Sequence, residues 1–162
     1  MIPAGVDIPN LAQQLQEDSV AFGNPDAVNM GAGLEPGLVS AVTHAESIDV
    51  GPVGVVVLDF TPNITADLRD IAQELLMATD LDTIIVRAPG TGAIVSETHS
   101  RSAIESAQHA FLGNPNIEEG TFYFLDQLAN AGANWFLMGL FALFAIALVI
   151  ALTIWGFMAS RR

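Results

Sequence analysis

Cysteine and lysine are both absent from the chain, and basic side chains of any kind are scarce. The missing thiol excludes disulfides, thiol catalysis and thiolate metal sites together. Arginine supplies all 5 strong bases, against 18 acids, and only Arg69, Arg87 and Arg101 share residues 1–134 with those acids. That stretch therefore carries a formal charge of −15. Such a surface repels phosphate backbones and anionic headgroups, so nucleic acid is not an expected partner. It suits a neutral or cationic partner, divalent ions, or plain solubility.

A secretory leader is also missing from the expected features. Met1-Ile2-Pro3-Ala4-Gly5-Val6-Asp7 has neither a basic segment nor an apolar one, and Gln13, Gln14, Gln16, Glu17 and Asp18 soon follow.

What the chain does have is a long apolar run, from Trp135 to Ala159, with no charge, no proline and a single hydroxyl, Thr153. At ~1.5 Å per residue a helix of this length reaches roughly 37 Å, more than the ~30 Å of a bilayer core. Trp135 and Trp155 are then about 30 Å apart along the axis, one at each interface. A buried helix in a soluble core rarely runs so long without a polar face. Residues 135–159 are expected to be a single transmembrane helix, with 160–162 as a basic tail and the lipid bilayer as a partner. Arg161 and Arg162 flank this segment on one side only. The positive-inside rule therefore leaves the C terminus in the cytoplasm of a plasma-membrane protein and the acidic domain outside. A tail-anchored arrangement, translocating only the last residues, is the competing topology. Within the run, Ala147 and Ala151 are one turn apart and Gly139 lies near Ala142, a small-residue spacing that supports a weak homodimer.

The remaining chain is long enough for one domain with its own core. Residues 1–33 read as a loose N-terminal arm with a short helix from Pro9 to about Asp18. The α/β domain occupies 34–130. Its first helix begins at Glu35-Pro36 and runs to about Ser47, burying Leu38, Val39, Val42 and Ala45. Val53 to Phe60 is a β-branched run typical of a strand buried on both faces. Thr65 is expected to cap a helix from Ala66 to about Met77, with Leu68, Ile71, Ala72 and Leu75 inward. Strands follow at Thr83–Arg87 and Gly92–Ser96. Ser100 caps a helix from Arg101 to about Phe111, and Gly113-Asn114-Pro115 ends it. A last helix starts at Glu118 or Thr121, and 130–134 form a hinge. The expected fold is α/β: a small mixed sheet flanked by helices, a TPM-like or Rossmann-like sandwich with right-handed crossovers, plus the C-terminal transmembrane helix.

Ligands of open α/β sheets usually sit beyond the carboxyl ends of strands. Those ends offer Asp59, Thr61 and Asn63, then Arg87, Thr91 and Gly92, then His99 and Arg101. Asp59, Thr61, Asn63, Arg69, Arg87 and His99 form the candidate polar site, in which Asp59 is expected to cap the following loop or to pair with Arg69 on the intervening helix. Asp59-Phe60-Thr61 resembles the opening of a haloacid-dehalogenase-type phosphatase motif but lacks its second acid, and no lysine is present to hold a phosphate. Gly90-Thr91-Gly92 lacks a third glycine and leads into a strand, which argues against dinucleotide binding. His44, His99 and His109 have no metal-ligand spacing, and Ser96 and Ser100 beside His99 lack an oxyanion-hole motif. No catalytic residue, metal or cofactor is assigned.

The segments Val55-Val56-Val57-Leu58-Asp59, Leu68-Arg69-Asp70-Ile71-Ala72 and Ile84-Ile85-Val86-Arg87-Ala88-Pro89, followed by a lone C-terminal anchor, resemble a small actinobacterial family of single-pass membrane proteins. The likeness extends from about residue 7 through most of the chain. That resemblance implies an envelope role, because members are typically encoded beside secreted peptidoglycan-cleaving endopeptidases. The element order is also similar to TPM domains, extracytoplasmic α/β modules often tethered by one helix. No residue of a TPM phosphatase or metal site can be matched here, so no activity is carried over. The expected function is a membrane-tethered, non-enzymatic module that binds or regulates an envelope protein, with a cell-wall hydrolase as the implied class. The alternatives are a phosphatase-like or metal-dependent hydrolase using Asp59, and a cytoplasmic tail-anchored scaffold.

Overall fold

The computed structural model describes residues 2–24 and 31–159, with the side chains of 31–32, 110, 132–138, 151–152 and 154–159 outside that description. It divides into two units, Met1–Ala129 and Asn130–Arg162.

In the first unit, α1 (Ile8–Asp18) starts where the Asp7 carboxylate accepts the Asn10 N–H at 3.1 Å, with Pro9 in the first turn where a missing N–H costs nothing. Leu11, Ala12 and Leu15 are buried. The two leucines gain about 1.5–3 kcal/mol each on burial, enough to hold this segment against the body of the domain. Ser19, in the left-handed region (φ 66), turns the chain directly into β1 (Val20–Phe22), whose three residues are all buried. Residues expected to form a loose arm thus contribute a helix and a strand.

The helix α2 (Gly31–Ser47) begins ahead of the expected Glu35-Pro36, so Pro36 lies inside it. The strand β2 (Val53–Val57) is fully buried and stops short of the expected Phe60. The helix α3 (Ala66–Ala78) lacks the expected Thr65 cap. Thr65 itself has helical angles (φ −62, ψ −24), and its hydroxyl receives no backbone N–H. The first turn is met instead by main chain, Asp67 N–H to Ile64 O at 3.0 Å and Leu68 N–H to Thr65 O at 3.2 Å.

Pro89 and Gly90 (φ 71) form the two-residue turn between β3 (Thr83–Ala88) and β4 (Thr91–Ser96). The helix α4 (Arg101–Gly113) is capped by Ser100, whose Oγ accepts the Ala103 N–H at 3.3 Å, as expected. The helix α5 (Ile117–Ala159) supplies Phe124, Leu125 and Leu128 to the core of the first unit. The expected hinge at 130–134 is helical. Its alanines favour that state, and the single Gly132 is insufficient to break it.

The four strands lie in the order β1-β2-β3-β4. The first three are parallel and β4 is antiparallel to β3, so the fold is a mixed α/β sheet flanked by helices. One face carries Val20, Phe22, Val53, Val55, Val57 and Ile85 beneath α2, α4 and the start of α5. The other carries Ala21, Val56, Ile84, Val86 and Ala88 beneath α1 and α3. Because α2 and α3 cover opposite faces while the chain advances β1 to β2 to β3 in one direction, the two crossovers have opposite hands. One of them is left-handed, against the expectation of two right-handed connections. The reason is spatial: α1 already occupies the second face over β1, leaving α2 the first. At Gly54 a Cβ would stand 2.7 Å from Leu81 Cδ1, 2.9 Å from Ile84 Cδ1 and 3.0 Å from Leu15 Cδ2, so any larger residue would have to displace these three side chains.

In the second unit, every residue from Gly139 to Ile150 is exposed, Phe141 at 80% and Phe144 at 69%. The Thr153 hydroxyl donates to Val149 O at 2.9 Å and Ile150 O at 2.8 Å, within its own helix. Among the described residues no helix is long and apolar enough to cross a membrane. The side chains of Trp135 and Trp155, and all of Arg161 and Arg162, lie outside the described residues.

Candidate functional site

The residues singled out as a polar site separate into three places. The cause is the direction of β4. Its carboxyl end, leading to His99, lies at the amino ends of the parallel strands, opposite Asp59 and Arg87. The imidazole makes this explicit: His99 Nε2 is 2.8 Å from the carbonyl oxygen of Val50, just ahead of β2.

Asp59, Thr61 and Asn63 occupy the loop after β2, all exposed. The Asp59 carboxylate accepts from Asn24 Nδ2 at 3.3 Å, so Asn24 takes the place expected for Arg69. Thr61 donates its hydroxyl to Pro89 O at 2.8 Å, tying this loop to the β3–β4 turn. Asn63 lines a shallow recess with Pro3, Phe60 and Asp67.

Arg87 stands apart. A cleft of about 470 Å³ opens at the carboxyl ends of β2 and β3, walled by Leu58, Pro89, Gly90, Leu112, Asn114 and Pro115, with Arg87 among its lining residues. Only 6% of Arg87 is accessible. Its Nη1 donates to Leu112 O at 3.0 Å and its Nη2 to Asn114 O at 3.2 Å, while the guanidinium carbon lies 5.3 Å from the centre of the Phe111 ring. These carbonyls belong to the end of α4, where a cation also meets the negative end of the helix dipole. Burial lowers the guanidinium pKa below its ordinary value, yet arginine retains its proton at any physiological pH. Arg87 therefore locks α4 to the sheet and gives the cleft a firm wall.

Arg69 and His99 meet in a third place, a groove of about 240 Å³ along β4 that also takes in Ser96, Arg101, Ile104 and Glu105. Ser96 organises one end. Its Oγ accepts the buried Thr83 hydroxyl at 2.8 Å and the His99 N–H at 3.1 Å. Arg101 Nε donates to Glu105 Oε1 at 2.6 Å, and that hydrogen bond and charge raise the Arg101 pKa. Arg69 makes no ion pair among the described residues. Arg101 is among the residues offered by the strand ends, outside the candidate site, and Glu105 is not offered at all. The scarcity of arginine was the available signal, since a chain with so few cations displays two of them on one groove.

Among the described residues no group of three histidine, aspartate or glutamate side chains is placed to hold a metal ion. Elsewhere in this unit, His44 Nε2 lies 2.8 Å from Asp126 Oδ1, and its ring packs at 5.4 Å on Phe122, joining α2 to the start of α5.

Residues 1–162 match the model of the family described as Membrane protein Rv1476. No curated protein matches the sequence. In fold the chain is similar to the N-terminal domain of the cg2496 protein from Corynebacterium glutamicum, solved by solution NMR. The two share 15% identity over 71% of this chain and 80% of that one, with a TM-score of 0.55. It is also similar to an N-terminal domain of a protein from P. gingivalis, at 13% identity over 86% and 94% of the two chains and a TM-score of 0.51. At these identities the likeness is one of fold alone.

Proposed function

The chain belongs to the actinobacterial Rv1476 family of membrane proteins, and from that premise we propose that it is a membrane-tethered, non-enzymatic module that binds or regulates a protein of the cell envelope. One observation carries the choice of binding over catalysis. Four of the polar side chains a hydrolase would draw on are committed to structural ties: Asp59 to Asn24, Thr61 to Pro89, Arg87 to the end of α4, and His99 to Val50. A nucleophile or general base needs a positioned partner and a free lone pair facing a pocket. Asp59 instead faces solvent beside an amide, and Arg69 and His99 lie in a different groove.

The tether is the apolar run 135–159. Its supports are the length and composition of the segment, the exposure of its apolar side chains from Gly139 to Ile150, and a lone hydroxyl satisfied by its own helix. We place the acidic domain outside and Arg161 and Arg162 inside, from the one-sided basic flank. The peptidoglycan endopeptidases implied by the family resemblance are the first partner class to test.

Two experiments decide this reading. An N-terminal alkaline phosphatase fusion to the full chain should be active, and a fluorescent protein that folds only in the cytoplasm should be dark in that position; the reverse pattern overturns the topology. Replacing Asp59 by Asn should leave complementation of a deletion strain intact, with a stability change within about 0.5 kcal/mol, as for an ordinary surface exchange. Loss of complementation at unchanged melting temperature would make the protein an enzyme.

A further inference from the structure

Among the described residues no strand pairs with the outer edge of β4, and the side chains around it include Arg69 and Arg101, the exposed arginines of the acidic unit. Glu97 N–H donates to Asp82 O at 3.0 Å, and the antiparallel register carries that alternation through Val95, Ala93 and Thr91. The N–H and C=O groups of Gly92, Ile94 and Ser96 consequently point away from β3, and no other strand lies beyond them. The groove beside this edge is bounded by α3 on one face of the sheet and α4 on the other, and between them the residues of β4 are half-buried, with Val95 buried. Arg69 stands on the first wall and Arg101 on the second. In a unit charged −15, these are the two exposed arginines.

We propose that β4 is the docking edge for an extended acidic peptide segment of a partner protein, added to the sheet as a fifth strand. The main chain of Gly92, Ile94 and Ser96 supplies the ladder, and Arg69 and Arg101 receive carboxylates carried on alternate residues. Charge complementarity selects this occupant. That complementarity is local: the charged lining of the groove is Arg69 and Arg101 against Glu105 alone, so a basic segment would meet two arginines there although the unit as a whole is acidic. Arg101 already has Glu105, so an incoming carboxylate joins that pair rather than finding a bare cation, and Arg69 is the stronger anchor. The inference rests on the binding-module reading and names the chemistry of its partner.

The test uses the full chain in nanodiscs and a short fluorescein-labelled peptide alternating threonine and glutamate, read by fluorescence anisotropy. A peptide with lysine in place of glutamate is the control. The acidic peptide should bind at least roughly tenfold tighter than the lysine peptide, with salt weakening it. Arg69→Glu should reduce its affinity about tenfold and Arg101→Glu less. Ile94→Pro removes an outward N–H that the β3–β4 ladder does not use, so it should abolish binding while the far-ultraviolet circular dichroism is kept. Equal binding of both peptides, or unchanged binding by the Arg69→Glu and Ile94→Pro proteins, overturns the proposal. Light scattering that shows a peptide-free dimer dissociated by Ile94→Pro overturns it in favour of a second copy. Ile94→Pro that complements the deletion strain overturns the acidic-edge assignment alone. Loss of complementation by Asp59→Asn at unchanged stability strikes instead at the module reading.

Discussion

The two edges of this four-stranded sheet are finished in opposite ways. At β1 the outward groups are taken by side chains of the preceding helix and its end. Val20 N–H donates to Asp18 Oδ1 at 3.0 Å, and Phe22 N–H to Gln14 Oε1 at 2.9 Å. Gln14 Nε2 returns a bond to Phe22 O at 3.3 Å, so one amide imitates a neighbouring strand. Asn10 Oδ1 steadies that amide from one turn earlier, at 2.7 Å. At β4 the strand is twice as long, six residues against three, and among the described residues no side chain covers its outward main chain in this way. An uncovered edge invites association, and soluble proteins usually blunt it. Here one edge is blunted and the other is left flanked by arginines, the arrangement expected of a surface meant to be paired.

The largest test of this contrast falls on the wall of the open edge. Arg87→Met removes the tie between β3 and the end of α4 and leaves the carbonyls of Leu112 and Asn114 without their donors. The loss should be about 2–4 kcal/mol in urea unfolding, and lysine should recover little of it because a point charge cannot span both carbonyls. Gln14→Ala comes next. It should cost about 1–2 kcal/mol and make the edges alike, with the Phe22 amide exchanging as freely as that of Ile94. Ser96→Ala should cost about 1 kcal/mol by taking the acceptor from the fully buried Thr83 hydroxyl. Arg101→Ala should leave the melting temperature unchanged, since its bond to Glu105 joins two exposed side chains.

Much of this fold is legible in the sequence, and the unread parts have physical reasons. The β-branched run of β2, the apolar stripe of α3 and the Ser100 cap of α4 are local signals; the stripe and the cap appear where expected, and β2 begins where expected but ends at Val57. The strand β1 has only three residues, too few for a pattern, and Ser19 adopts the left-handed turn ahead of it without a glycine to announce it. Pro36 suggested a helix start, but the helix extends a turn earlier. The left-handed crossover depends on α1 already covering one face, which no local pattern reveals. The candidate site was read from strand ends as if all strands pointed one way. An antiparallel β4 sends His99 to the opposite end from Asp59 and Arg87. The sequence offers Asp59 the following loop or Arg69 as partners, both close in the chain, whereas its partner Asn24 lies 35 residues back. Long-range ties of this kind come from the packing of α1, β1 and β2 together.

Native-state amide hydrogen exchange on the peptide-free full chain tests the contrast between edges most directly. Val20 and Phe22 amides should be protected at least about tenfold more than those of Gly92, Ile94 and Ser96, while Ala93 and Val95, bonded to β3, stay protected. Equal protection of Ile94, Ser96, Val20 and Phe22 would mean that β4 is already covered, and would contradict an edge open for a partner strand.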